Sequence, residues 1–188
     1  MIKIGIVLGS TRPGRRGEAI ARFILKEAQQ HGGAEFSLVD LADYALPVFD
    51  EPAPPSRGQY TKDHTKKWAA AISALDAFIF VTPEYNHSTS GALKNALDFL
   101  YSEWADKAAG FVSYGGVGGG IRAVEQLRLI CSELRLATVR AQVAFLIRAD
   151  FTDNFTVFQP GPHHAPSIKA LFEQVIAWGT ALKPLRSA

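Results

Sequence analysis

Short apolar runs alternate with stretches of helical period along the whole chain, the order expected of parallel strands joined by crossover helices. Residues 2–8 are apolar without alternation and predict a strand buried on both faces. Residues 17–31 set Ile20, Phe23, Ile24 and Ala28 on one side of a helix, which Gly32 and Gly33 end. Residues 35–40 alternate Phe36 and Leu38 with polar partners as an edge strand does, whereas 77–82 form a continuous apolar run that belongs at the sheet centre. Residues 108–114 predict a fourth strand. Residues 138–145, with Val139, Ala141, Val143 and Phe145 alternating, predict a second edge. Helices are predicted over 59–75, 90–104, 119–136 and 165–182. Five strands with two edges and a late strand at the centre give an α/β fold: a three-layer, doubly wound parallel sheet of order 2-1-3-4-5. The long irregular stretches, 47–58 and 150–166, are candidate walls for a pocket over the strand ends.

The 188 residues suit a single domain spanning 1–188. Hydrophobic residues at 47% and charged residues at 20% are ordinary for a globular chain. With 20 Lys plus Arg against 18 Asp plus Glu, the formal charge of +2 argues against a dedicated nucleic-acid binder and has the wrong sign for an acidic electron carrier. A single cysteine, Cys131, excludes an intramolecular disulfide and a Cys-rich metal site, so a reducing, cytoplasmic compartment is expected. The first apolar run is too short for a signal-peptide core, and no stretch approaches the roughly 20 apolar residues of a membrane span.

Ligands of such sheets bind beyond the carboxyl ends of the strands, where crossover direction reverses. Three loops meet there. Residues 9–17 (Gly-Ser-Thr-Arg-Pro-Gly-Arg-Arg-Gly) bring the hydroxyls of Ser10 and Thr11, the guanidinium groups of Arg12, Arg15 and Arg16, and Gly17 to a helix N-terminus, an arrangement that suits a phosphate. Arg15-Arg16 replaces the Lys-Ser/Thr of a P-loop, which disfavours ATP hydrolysis. Residues 83–88 (Pro83, Glu84, Tyr85, Asn86, His87, Ser88) offer backbone groups and an aromatic face to a flat heterocycle, with Ser88 or Ser90 available to cap the next helix. Residues 113–120 hold Ser113, Tyr114 and five glycines, Gly115 and Gly116 first, which let backbone approach something closely. Residues 118–123 also match G-x-G-x-x-A, so a flavin-free nucleotide-binding domain is one alternative, although the match follows the fourth strand rather than the first. Cys131 reads as a buried, inert thiol. No metal is expected at His163 and His164, because sequence neighbours rarely face one ion and no acidic ligand stands at suitable spacing around them.

One phosphate cradle and two backbone-rich walls describe a ligand with a single phosphate and a large planar ring, as in FMN. The segments at 8–15, 82–86, 90–98 and 113–116, in this order, resemble the NADPH-dependent FMN reductase family, over roughly residues 1–145. The resemblance implies a flavodoxin-like fold and an enzyme in which FMN carries the chemistry and no side chain acts catalytically. It implies that Ser10, Thr11 and Arg12 hold the phosphate beside Gly17, and that Pro83, Glu84, Tyr85 and Asn86 border one side of the flavin. Ser113, Tyr114, Gly115 and Gly116 border the other. Many members carry a hydroxyl residue and an Asn where this chain has Arg15 and Gly17, so a bidentate contact from Arg15 or Arg16 is expected to complete the phosphate shell. NADPH or NADH as co-substrate, ping-pong transfer to a quinone, azo dye, metal oxyanion or free flavin, and a homodimer or homotetramer are implied as well. A flavodoxin-like electron carrier is the other alternative.

Overall fold

The computed structural model describes residues 1–186; residues 187 and 188, the end of the expected unit, lie outside the described residues. Strands β1 (Lys3–Leu8), β2 (Glu35–Asp40), β3 (Ala77–Pro83), β4 (Lys107–Gly115) and β5 (Leu136–Leu146) form one sheet in the order β2-β1-β3-β4-β5. Every neighbouring pair is parallel. All residues of β3 and β4 are buried, including the polar Thr82, Lys107 and Ser113 among their mostly apolar residues, while β2 and β5 keep exposed positions at the two edges.

The helices are α1 (Gly17–His31), α2 (Asp63–Ser73), α3 (Gly91–Asp98), α4 (Ile121–Glu133), the single turn α5 (Ile147–Asp150) and α6 (Ala165–Leu182). Because successive strand residues point to opposite faces, Ile4, Ile6, Leu8, Ile79 and Val81 pack with α1 and α6, and Val7, Phe78 and Phe80 pack with α2, α3 and α4. Three helices are shorter than their hydrophobic period predicts, α4 keeping only Ile121–Glu133 of the expected 119–136. α2 starts at Asp63 rather than 59, since the Glu51 carboxylate accepts the backbone N–H groups of Thr61 and Lys62 and holds that segment extended. α3 stops at Asp98 rather than 104: the Trp68 indole donates to the Ala96 carbonyl (2.8 Å) and Trp104 to that of Leu97 (3.2 Å), capturing the final carbonyls side-on.

The irregular stretches are not free spacers. Asn95 donates to the Pro47 carbonyl (2.7 Å) and accepts from the Phe49 amide (3.0 Å), so the Pro-rich segment is pinned across α3. Residues 151–158 form a small antiparallel hairpin, β6 (Phe151–Thr152) with β7 (Val157–Phe158), where irregular chain was expected. Asp150 Oδ1 lies 2.8 Å from His164 Nε2, so the acidic neighbour that sequence spacing did not suggest is supplied by the fold.

Candidate functional site

At the carboxyl ends of β1, β3 and β4 a notch of about 170 Å³ is lined by Arg12, Arg15, Arg16, Pro83, Glu84, Tyr85, Tyr114, Gly115, Gly116 and Ile147. All but Ile147 come from the three loops singled out by sequence. Ile147 enters from the turn after β5, and its neighbours carry no signal that would have marked it.

The first loop is built from within. Ser10 is buried and its Oγ shares a 3.1 Å hydrogen bond with the Tyr85 hydroxyl, tying the first loop to the second. Ser90 caps α3 by accepting from the Leu93 amide, and its hydroxyl also donates to the Gly9 carbonyl. The three arginines divide their tasks. Arg15 makes a bidentate pair with Asp40, donates to the Ser10 carbonyl (2.7 Å) and is mostly buried. Arg16 donates to the Phe155 carbonyl (2.7 Å) and lies over the Phe151 ring. Both arginines expected to complete a phosphate shell line the notch but are engaged by intramolecular partners. Arg12, exposed on the notch wall, makes no ion pair among the described residues.

Gly17 opens α1 directly against Tyr114: a Cβ there would stand 2.6 Å from the phenol oxygen and 2.9 Å from Leu8. Burial, with Tyr85 beside it, pushes the Tyr114 hydroxyl up to about 12, against the pull of Ser10, Arg12 and the Gly17 amide, so it stays protonated at neutral pH. Thr11 faces away from the notch into a second cavity of about 390 Å³ that runs along Leu41, Leu46, Ala92 and Asn95. That cavity is larger but carries no charged side chain.

The second loop makes a tight hairpin. Asn86 (φ 49) and His87 (φ 74) both take left-handed backbone, and Tyr85 and Ser88 exchange amide-to-carbonyl bonds of 2.9 and 3.2 Å. The Glu84 amide donates to the Tyr114 carbonyl. Amides expected to point outward from Pro83 are thus largely taken up inside the fold, and the loop presents side chains instead. Chief among them is Glu84, whose side chain is 6% exposed and pairs with Arg122. Its other oxygen, Oε2, is buried at the notch without a hydrogen-bond partner among the described residues.

From the third loop Tyr114, Gly115 and Gly116 line the notch. Gly118, Gly119 and Gly120 have φ of 79, 60 and 83, and a Cβ on Gly120 would lie 2.9 Å from Tyr114 backbone atoms. The Ser113 hydroxyl donates to the Gly119 carbonyl at 2.8 Å. This glycine run folds back on the protein's own strand, which removes the dinucleotide reading of residues 118–123 and makes Ser113 an anchor of the loop. At Gly116, by contrast, an added Cβ would meet nothing within 4 Å, so this glycine faces open space.

The model of the NADPH-dependent FMN reductase family matches residues 2–149. An NAD(P)H-dependent FMN reductase of a Nectria species is 35% identical over 182 residues, 92% of this chain and 89% of that protein. One from Schizosaccharomyces pombe is 39% identical over 150 residues, 79% of this chain and 74% of its own. Among solved structures, FerB, a flavoenzyme NAD(P)H:(acceptor) oxidoreductase from Paracoccus denitrificans, superposes with a TM-score of 0.71 at 20% identity, covering 96% of this chain and 98% of its own, and so shares the fold.

Proposed function

The chain belongs to the NADPH-dependent FMN reductase family, and on that premise we propose that its notch holds one FMN and serves an oxidoreductase moving electrons from NADPH or NADH to a small acceptor. Quinones, azo dyes, metal oxyanions and free flavin are the acceptor classes that fit. When bound, FMN supplies the hydride exchange itself.

The notch suits that cofactor in three respects. Arg12, without an ion-pair partner, stands with the N-terminus of α1 where a phosphate would gain charge-assisted and amide hydrogen bonds, and Ser10 and Thr11 belong to the same loop. Glu84 Oε2 is a buried acceptor awaiting an N–H or O–H donor, of which the flavin ring and its ribityl chain carry several. Tyr85 offers an aromatic ring on one wall and the Gly115–Gly116 pair backbone on the other, with open space beside Gly116; Asn86, expected to border the flavin, is not among the lining residues. The supporting groups act at one remove: Arg15 with Asp40 fixes the phosphate loop, Arg122 balances the Glu84 charge, Ser113 holds the glycine turn, and Gly17 makes room for Tyr114.

At about 170 Å³ the notch is smaller than the roughly 300–1,000 Å³ of enclosed ligand sites, so one face of the cofactor stays open. NAD(P)H and the acceptor then visit that face in turn, which gives ping-pong kinetics. Tyr85 and Val117 on the loops, Ile121 at the start of α4 and Leu146 at the end of β5 are exposed, an apolar rim that supports a homodimer or homotetramer with the site near the interface. Cys131, its thiol pushed up to about 12 by burial, suits a reducing, cytoplasmic setting.

The observation that carries this reading is the pairing, in one notch, of an exposed cation and a buried acceptor that both lack partners among the described residues. Its test is to purify the protein, record its flavin spectrum, and follow NADPH and NADH oxidation with a quinone. Parallel double-reciprocal lines and one FMN per chain are expected. A colourless protein that takes up no added FMN would overturn the reading.

A further inference from the structure

Away from the notch, the strap between β5 and α6 gathers three groups that bind transition metals. Asp150, His163 and His164 each offer one ligand atom, and these atoms lie within 4.8 Å of one another. Ligand atoms around a tetrahedral zinc ion stand roughly 3.3 Å apart, so small side-chain adjustments close the set.

The carboxylate is positioned in advance. Asp150 is 2% exposed, its Oδ2 accepts the Leu146 N–H at 2.7 Å, and its Oδ1 lies 2.8 Å from His164 Nε2, the separation of a shared proton, which must widen by about half an ångström to admit an ion. Hydrogen bonds of this outer kind are what orient metal-binding carboxylates. The His164 ring is held against Phe145, with centroids 4.6 Å apart.

His163 supplies an independent observation. Successive side chains of a 3-10 turn point about 120° apart, yet the His163 and His164 rings, both in the turn Pro162–His164, have centroids only 4.0 Å apart. The His163 ring reaches that position by folding over Gly161, where a Cβ would stand 2.6 Å from Nδ1. Gly161 has φ −71 and ψ 156, backbone that any residue adopts, so glycine is needed there for room, and the room is filled by an imidazole.

We propose that Asp150, His163 and His164 form a site for one divalent transition ion of the zinc class, with a remaining position left to water. Two imidazoles and one carboxylate favour such ions over magnesium or calcium, which take oxygen donors. The ion replaces the proton between Asp150 and His164 and ties the root of the strap to the start of α6.

The test is calorimetric titration of the untagged, FMN-loaded full chain with Zn²⁺ alone, beside His163→Ala and His64→Ala. His64 forms a His–Asp pair with Asp50 outside the cluster and serves as control. His163 is exposed, so its loss should leave the fold intact, and unchanged flavin absorbance verifies that. Outer-shell changes alone weaken metal sites by about 10–100-fold, so losing a ligand should cost about tenfold or more. The expected result is one Zn²⁺ per chain, unchanged affinity in His64→Ala, weakened affinity in His163→Ala, and a Zn²⁺-dependent rise in melting temperature that His163→Ala abolishes. No saturable Zn²⁺ binding by the unsubstituted chain, or equal affinity in His163→Ala, overturns the proposal.

Discussion

Arg12, Arg15 and Arg16 stand within five positions of one another, yet the structure separates one exposed guanidinium, unpaired among the described residues, from two that hold the loop. Arg12→Ala should weaken FMN binding by about 1.5–3 kcal/mol, the range for losing a hydrogen bond to a charged group, with the melting temperature of the flavin-free protein unchanged. Arg15→Ala should do the reverse. Its pair with Asp40 is bidentate, with side chains 14% and 17% exposed, so the loss should lower fold stability by about 1.5–3 kcal/mol in denaturant titrations of the flavin-free protein. Identical behaviour of the two variants in both assays would contradict the division. The sequence alone shows three similar cations. What distinguishes them is the register of β1 against β2, which sets Leu8 beside Asp40 and so brings an acid to the start of the loop. That pairing is non-local and invisible to spacing. Glu84 was legible as a loop residue for the same reason the loops themselves were, but its partner Arg122 lies across the glycine turn and could not be read from the chain.

At the scale of elements, two contacts decide where helices begin. Gly17 lets α1 start under the Tyr114 phenol, so Gly17→Ala should cost about 1–3 kcal/mol as an overpacked site and impair FMN uptake with it. Adding Tyr114→Phe removes the colliding oxygen and should restore part of that loss, a non-additivity that a double-mutant cycle measures directly. Strict additivity would count against the collision. For α2 the controlling group is Glu51. Burial raises its pKa, but the amides of Lys62 and Thr61 and the Thr61 and Thr65 hydroxyls outweigh this and bring it from 4.5 down to about 2. A folded pKa below the unfolded one contributes stability that is present above about 4.5 and lost as pH falls toward 2. Stability measured between pH 5 and 2 should fall less steeply in Glu51→Gln than in the unsubstituted protein. The hydrophobic period predicted these helices but overran their ends at residues 59 and 104, because the Glu51 carboxylate, the distant Trp68 indole and the Trp104 indole from the expected span itself capture backbone groups that the pattern assigns to the helix. Strand identities, by contrast, were legible almost completely, since burial on both faces leaves mostly apolar runs at the centre and one-sided burial leaves alternation at the edges.

For the whole molecule, the order β2-β1-β3-β4-β5 places the three chemistry-bearing loops at one end of the sheet, and this is why a reading of crossovers could locate the notch before its side chains were known. The exposed rim of Val117, Ile121 and Leu146 was not legible, because exposure depends on how the loops fold over the strand ends. If that rim lies in an oligomer interface, Val117→Lys combined with Ile121→Glu should convert a dimer or tetramer to monomer in sedimentation experiments. A monomer before substitution would remove this part of the account. The central claim, that the notch and not the larger cavity along Leu41 and Leu46 holds the cofactor, is tested most directly by a crystal structure of the FMN-loaded protein. The account predicts phosphate density against Arg12 and the start of α1, with the ring between Tyr85 and Gly115–Gly116. Flavin seated in the cavity beside α3, with Arg12 still turned to solvent, would contradict it.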